Sequence, residues 1–461
     1  MKRATNRIVS RFENASRFLR SPLTVGVGFL TLARYLATAI GFVTTVTAAR
    51  ILGPQAYGRA ALLMGYPLLV WSFASVKSLS VTTRYMAGFR STGQLGELSA
   101  ISKLGFGLDA LTGLGAAFLI AGSASFVNEN LFHVSTLAWL SILFGISFPF
   151  YSLLSTSFAV LSSCERLPWL AAIQVFDRFI TFLLVVAALL MGFGISGVIL
   201  STAAAQVIVG LMAAWLATLS LEREGVPAWW RADFGSIANL RRELRRFFGW
   251  NYLIVSFSGI VQQGPLLLLG YWRGPRVAGF YRLAMSIFSV SSHLEGSLWT
   301  VVYPRLSIRW GAGEREEVRR TLWRWSRLFG LPLALALLAA AALSPVLLPA
   351  VFGEEYGAMV PGAQFLIVGA AVSGLFFYLG PFYYAAGRFD AWAKAYGLYT
   401  VLVIGLTPIV IDRGGYPGVA ALVGLGLAAF NICMAGLLAG TRFMSVPQAP
   451  KSAKVEGPDA T

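Results

Sequence analysis

The chain has 461 residues, 57% hydrophobic and only 12% charged, with 37 Lys and Arg against 20 Asp and Glu. A soluble domain carries about 25% charged residues, so this chain cannot clothe a water-facing surface of its size and reads as an all-α, polytopic membrane protein. Two Cys and two His exclude a disulfide framework, a zinc pattern and a His-rich metal centre.

Residues 1–24 form a basic lead with Lys2, Arg3, Arg7, Arg11, Arg17 and Arg20. About 20 apolar residues span a bilayer. Twelve such runs follow, near 25–50, 57–82, 99–124, 135–160, 169–191, 194–219, 247–271, 277–303, 325–349, 361–385, 391–411 and 415–440. The first contains Arg34 and is too long for a signal-peptide core, so it is expected to be retained. Between the sixth and seventh runs lies the longest polar stretch, 220–246. Its end places Leu240, Leu244 and Phe248 on one helical face among Arg241, Arg242, Arg245 and Arg246. That pattern fits either a helix lying on the membrane surface or the basic flank of the seventh run. Residues 441–461 are polar and read as a disordered tail.

The runs repeat. Gly53, Pro54 and Gly58 recur as Gly274, Pro275 and Gly279, each 221 residues on, and GISGV at 194–198 recurs as GYPGV at 415–419 at the same offset. Glycine suits the left-handed end of a helix and proline the first turn of the next, so these are matched structural turns in a duplicated chain. The expected domains are a six-helix lobe over 25–219, the basic connector 220–246 and a second six-helix lobe over 247–440. An even number of crossings gives both lobes the same orientation, with a pseudo-twofold axis along the membrane normal and a cleft between them.

With the N-terminus placed in the cytoplasm, 28 of the 37 Lys and Arg fall on the inner side and five on the outer. This is a positive-inside bias, and it explains the net charge as topology and contact with anionic lipid, not nucleic-acid binding. Both termini are then cytoplasmic. The chain has no GxxxxGK[ST] loop, no GxSxG, no HExxH and no D-x-D pair, which speaks against nucleotide hydrolysis and enzymatic chemistry. No cofactor is expected.

Charges within apolar runs are costly and mark wet interiors. Arg34 and Arg178 each lie about 9 residues, roughly 13 Å, from the inner ends of their runs, and Lys77 roughly 8 Å from its own. Three cations at similar depth in one lobe predict a phosphate-binding cavity. Arg84, matched by Arg305 one repeat on, reads as an interface anchor, and Arg282 as an exit-side contact. Asp109, Asp177, Glu295 and His293 are candidates to bind H+ or Na+ or to pair with lumen arginines. Neighbours on a helix point apart, so Asp177 is not expected to cancel Arg178, nor His293 Glu295.

The segment LARYLATAIGFVTTVTAARILGPQAYGRAALL resembles the start of Wzx-type polysaccharide-biosynthesis membrane proteins of the multidrug/oligosaccharidyl-lipid/polysaccharide (MOP) exporter superfamily. LLLLGYWRGPRVAGFYRLA and LPAVFGEEYGAMVP are similar to turns further along those chains. The resemblance implies two six-helix lobes in alternating access in a bacterial inner membrane. These lobes would move a polyprenyl-diphosphate-linked oligosaccharide outward, for O-antigen, capsule or exopolysaccharide, alongside polysaccharide polymerase machinery. In that family lumen Arg and Lys residues hold the diphosphate, and Arg34 and Lys77 are the positions suited to it here; Arg178 rests on depth alone. Two alternatives stand beside it: a multidrug exporter of the same superfamily, which would carry an acidic lumen, and an O-antigen polymerase or ligase, which would carry a large outer loop.

Overall fold

A computed structural model describes residues 22–75, 79–132 and 137–439; the basic lead and the polar tail lie outside the described residues. The helix Pro22–Ala74 breaks at Gly53 (φ 70°, ψ 168°) into α1 (22–52) and α2 (54–74). There follow α3 (Leu79–Ser91), α4 (Leu95–Asn130), α5 (Ala138–Ile146), α6 (Phe148–Ser163), α7 (Leu167–Leu190) and α8 (Gly194–Arg223). Beyond the connector come α9 (Arg241–Arg273), α10 (Pro275–Gly311), α11 (Arg315–Trp325), α12 (Leu331–Phe352), α13 (Val360–Leu375) and α14 (Leu379–Ala385). The last helix, Phe389–Ala439, breaks at Gly415 into α15 (389–414) and α16 (416–439). Helix is the expected answer in hydrocarbon, because it pairs every backbone group within the segment.

Nine helices among the described residues are long and apolar enough to cross a membrane. Two of them double back at Gly53 and Gly415, giving eleven legs, and α10 makes the twelfth. The direction of each leg follows from its contacts. Residues 399 and 410 of α15 meet 423–426 and 418 of α16, so the pair is antiparallel. Likewise α2 runs against α9, with Ser72 on Gly259, Gly65 on Leu266 and Leu62 on Gly270. One face of the protein thus gathers the turns at Gly53, Gly192–Gly194, Gly274, Gly353 and Gly415, all with positive φ. The other, basic face gathers the turns at Gly93, Glu165, Gly225, Gly313 and Gly387.

The duplication is written in the backbone. Positive φ recurs at Gly53 and Gly274 (70° and 83°), at Gly194 and Gly415 (both 54°), at Gly93 and Gly313 (71° and 81°), and at Glu165 and Gly387 (57° and 69°). Gly58 and Gly279 go further, because they touch one another. A methyl on Gly58 would strike the Pro275 carbonyl oxygen, and one on Gly279 would sit 2.8 Å from the Pro54 carbonyl oxygen. A residue that packs on its own repeat mate lies on the pseudo-twofold axis. Around this point the lobes are joined on the hairpin face. Arg50 donates to the Val351 and Ala350 carbonyls at the end of α12, and the buried Tyr356 hydroxyl donates to the Ala49 carbonyl.

Within each lobe small residues set the closest crossings, as expected where lipid supplies no hydrophobic drive between helices. Gly210 of α8 abuts the Phe150 carbonyl of α6, and Gly369 of α13 abuts Gly424 of α16. On the basic face the connector docks on the first lobe: Trp229 lies 4.7 Å from the Phe106 ring, and Lys103 donates to the Ala232 carbonyl at 2.9 Å. Arg90 donates to Glu224 at 2.8 Å, a bond that holds its guanidinium pKa up. The stretch from Arg241 continues unbroken into α9, so its backbone is the flank of the seventh crossing and not a separate surface helix.

The axial contact yields a prediction. Gly58→Ala has backbone, not a yielding side chain, in its way, so it should cost about 1–3 kcal/mol, whereas Gly28→Ala meets nothing within 4 Å and should be neutral. Thermal unfolding of the purified protein measures both; equal melting temperatures would mean that the lobes do not depend on this contact.

Candidate functional site

Arg34, Thr38, Gly41 and Thr45 recur at spacings of four, three and four, so they share one face of α1. The hydroxyls of Thr38 and Thr45 donate to the Arg34 and Gly41 carbonyls at 2.9 and 3.0 Å, which leaves a polar stripe with its donors satisfied. Phe29, Leu32, Leu36 and Val43 stand exposed elsewhere on the helix. Gly41 faces α7: a Cβ there would lie 3.5 Å from Cδ of Arg178, in ordinary contact. Arg34 and Arg178 are thereby brought to the same side of α1.

Their depths differ from the sequence expectation. Arg178 lies opposite Gly41, two turns beyond Arg34. Counts from the inner ends mislead because α1 starts at Pro22 and runs far longer than the 24 residues of α7. From the hairpin face, at 1.5 Å per residue, Arg282 lies roughly 12 Å below Gly274, Arg178 roughly 18 Å below the end of α7, and Arg34 roughly 28 Å below Gly53. The cations form a ladder, not a ring.

Asp177 and Arg178 also correct an expectation. Adjacent helical positions point about 100° apart, yet the long arginine stem folds back so that Nε lies 3.7 Å from Asp177 Oδ2. The Arg178 side chain is 49% exposed and that of Asp177 17%, and both charges reach the Tyr151 hydroxyl on α6. Arg34, half-buried, has no acidic partner or side-chain hydrogen bond among the described residues.

Asp109 is enclosed between α4 and α6. Its Oδ2 accepts from the Thr156 amide at 2.9 Å and from the Thr156 hydroxyl at 2.6 Å, with only 4% of the residue exposed. This clips two helices of the first lobe together. Arg282, half-buried, donates to Gln263 Oε1 at 3.4 Å. Gln263 in turn faces Gly65 of the other lobe, and the Arg282 charge reaches Tyr57 on α2. Arg282 therefore sits between the lobes, beneath the axial glycines. Gln263 and Tyr57 escape a reading based on charge; the polar doublet Gln262-Gln263 inside an apolar run was the available signal. Lys77 lies outside the described residues, as do the side chains of Arg84, His293 and Glu295.

This fold has solved counterparts. An inward-facing multidrug-resistance MATE transporter of the MOP superfamily superimposes with a TM-score of 0.73 at 12% identity, over 90% of this chain and 96% of that one. The lipid II flippase MurJ, in an inward closed conformation, gives 0.67 at 14% identity over 89% and 87%. A MOP-superfamily transporter from Pyrococcus furiosus, described as having a binding pocket of reverse polarity, gives 0.65 at 14% identity over 91% and 96%. The chain is thus a multi-pass membrane protein with the twelve-helix fold of the MOP-superfamily transporters. Residues 23–309 match the family described as polysaccharide biosynthesis protein, and the chain belongs to that family. No curated protein matches it.

The Asp109 clip is testable. Asp109→Asn keeps an acceptor for Thr156 and should fold with near wild-type stability, while Asp109→Leu removes both hydrogen bonds from a buried site at a cost of about 1–3 kcal/mol. Thermal unfolding separates the two; equal losses would point to a requirement for the charge instead of the hydrogen bonds.

Proposed function

We propose that this protein is a flippase that moves a polyprenyl-diphosphate-linked oligosaccharide from the inner to the outer leaflet of the bacterial inner membrane. The observation that carries the reading is Arg34. A guanidinium in an apolar crossing is costly, this one has no acidic partner among the described residues, and it shares a polar stripe with Arg178. A diphosphate supplies the missing anion, and arginine grips phosphate oxygens with two parallel donors. The oligosaccharide would travel between the lobes 25–219 and 247–440 while the lipid stays in the bilayer.

The ladder gives a sequence of contacts. Arg34, nearest the basic cytoplasmic face, meets the diphosphate first, with Lys77 as its partner from the second crossing, and Arg178 meets it next. Arg178 is restrained by Asp177, so the pair exchanges one anion for another and not an anion for water. Outward opening requires the hairpin-face contacts at Gly58 and Gly279 and at Arg50 to part, which brings Arg282 to the exit. Arg84 stays an interface anchor. An ion gradient, H+ or Na+, resets the lobes through Asp177, Glu295 or His293. Asp109, already occupied by Thr156, is the weaker choice for that role. Polymerase machinery receives the product on the far side.

The multidrug-exporter reading draws on the MATE likeness, which speaks for fold only. Three cations, of which Asp177 offsets one, favour an anionic cargo.

The test uses inside-out vesicles loaded with a labelled polyprenyl-diphosphate glycan, followed by protection from an added glycosidase. Wild type should protect the glycan, and Arg34→Ala should lower the rate by about 10- to 100-fold, as expected for a lost charge-assisted bond, at unchanged protein level. A wild-type rate in Arg34→Ala removes that residue from the site. Elongation of the glycan in place of protection would make the protein a transferase, and efflux of a cationic dye would favour the exporter.

A further inference from the structure

The second lobe carries a cationic pocket at its basic face. A cavity of about 540 Å³ opens there between the end of α10, the end of α11 and the turn that leads into α12, and Arg305, Arg309 and Arg324 line it. Arg309 is anchored: it donates to the Thr321 hydroxyl at 2.6 Å and lies 3.6 Å from Glu317. Arg305 and Arg324 are exposed and hold no ion pair among the described residues. At the repeat offset their counterparts are Arg84, Gly88 and Leu104, the offset being 220 past the matched turn at Gly93 and Gly313. The neighbouring cation of the first lobe, Lys103, is already bonded to the connector. Arg309 and Arg324 are therefore additions to the duplicated scaffold, while Arg305 is shared with the first repeat as Arg84.

The rim of the pocket is apolar. Ile308, Leu328 and Phe329 are 73%, 57% and 46% exposed. The five-residue π-helical turn Ser326–Gly330 carries the last two, and π turns recur at functional sites. From Leu328 an exposed row continues along α12 through Leu331, Leu335 and Leu338, at helical spacings of three, four and three. Three guanidiniums joined to a strip of leucines match an amphiphile with a phosphate head and acyl tails. Neither a soluble anion nor an acidic peptide would use the leucine row.

We propose that this pocket binds the phosphate of an anionic glycerophospholipid from the adjoining leaflet, with one acyl chain lying along the α12 leucines. The lipid ties α10 to α11 and α12 and fixes the depth of the second lobe in the membrane. A bilayer phospholipid is favoured over the lipid-linked glycan because the candidate substrate cations Arg34 and Arg178 belong to the other lobe. The inference stands apart from the flippase reading, since any cargo leaves it intact.

Native mass spectrometry of the purified full chain, titrated with phosphatidylglycerol, phosphatidylcholine or undecaprenyl diphosphate, tests it. Wild type should retain one phosphatidylglycerol in preference to phosphatidylcholine. R305A/R324A should bind it roughly 30-fold more weakly, at about 1 kcal/mol per basic residue near an anionic surface. R223A/R231A, which removes the same charge from the connector docked on the first lobe, should change binding less than about twofold, and R305K/R324K should restore most of it. Equal loss in both alanine pairs, or no preference for the anionic lipid, overturns the proposal. Displacement of phosphatidylglycerol by a lower concentration of undecaprenyl diphosphate overturns it too, by assigning the pocket to the carrier lipid. Should R305A/R324A melt early, the lysine pair decides: phosphatidylglycerol binding at the alanine level in a protein that melts like wild type also counts against the site.

Discussion

Two glycines lying against each other on the pseudo-twofold axis hold the arrangement together. Gly58 and Gly279 let the backbones of the two repeats approach until each meets the proline carbonyl of the other. In lipid, helices gain nothing from hiding apolar surface, so close van der Waals approach must supply the association. The contact is small and central, and it sits on the face opposite most of the positive charge. It therefore joins the two lobes at the hairpin face. Arg50 and Tyr356 reinforce it by capping backbone carbonyls across the lobe boundary.

The polar groups in the crossings divide by whether the protein already satisfies them. Thr38 and Thr45 return their hydroxyls to their own helix, and Asp109 is closed by Thr156. These groups stabilise and orient. Arg178 is half-satisfied by Asp177, and Arg34 has no such partner among the described residues. That gradient, from closed to open, distinguishes scaffold from candidate site better than charge alone does. It is why Asp109, which looks like a coupling acid in the sequence, reads as a clip in the structure.

Much of the fold was legible before any coordinates. Glycine and proline at 53–54 and 274–275 announce turns because few other residues take those backbone angles, and the shared offset announces the duplication. The site was legible only in part. Arg34, Arg178 and Arg282 stand out because a charge in an apolar run is rare. Gln263, Tyr57 and Tyr151 do not, since uncharged polar and aromatic residues are common in membrane helices and acquire meaning only from what they face. The expectation that Asp177 and Arg178 point apart failed because helical spacing describes Cβ directions, and a four-bond side chain can turn back.

Composition and spacing determined that this chain crosses a membrane twelve times in two matched halves, with its positive charge on one side. Those properties follow from the transfer energy of each segment and from backbone angles, which are local. Tertiary packing alone decided that Gly58 meets Gly279, that Arg178 rests on Gly41 two turns from Arg34, and that Arg305 and Arg309 share one pocket with Arg324, 15 to 19 residues further on. Helix rotation and length set these relations, and neither is encoded in the order of apolar runs, because any register of two helices buries nearly the same apolar surface in lipid. Only the close contacts between particular side chains choose among the registers.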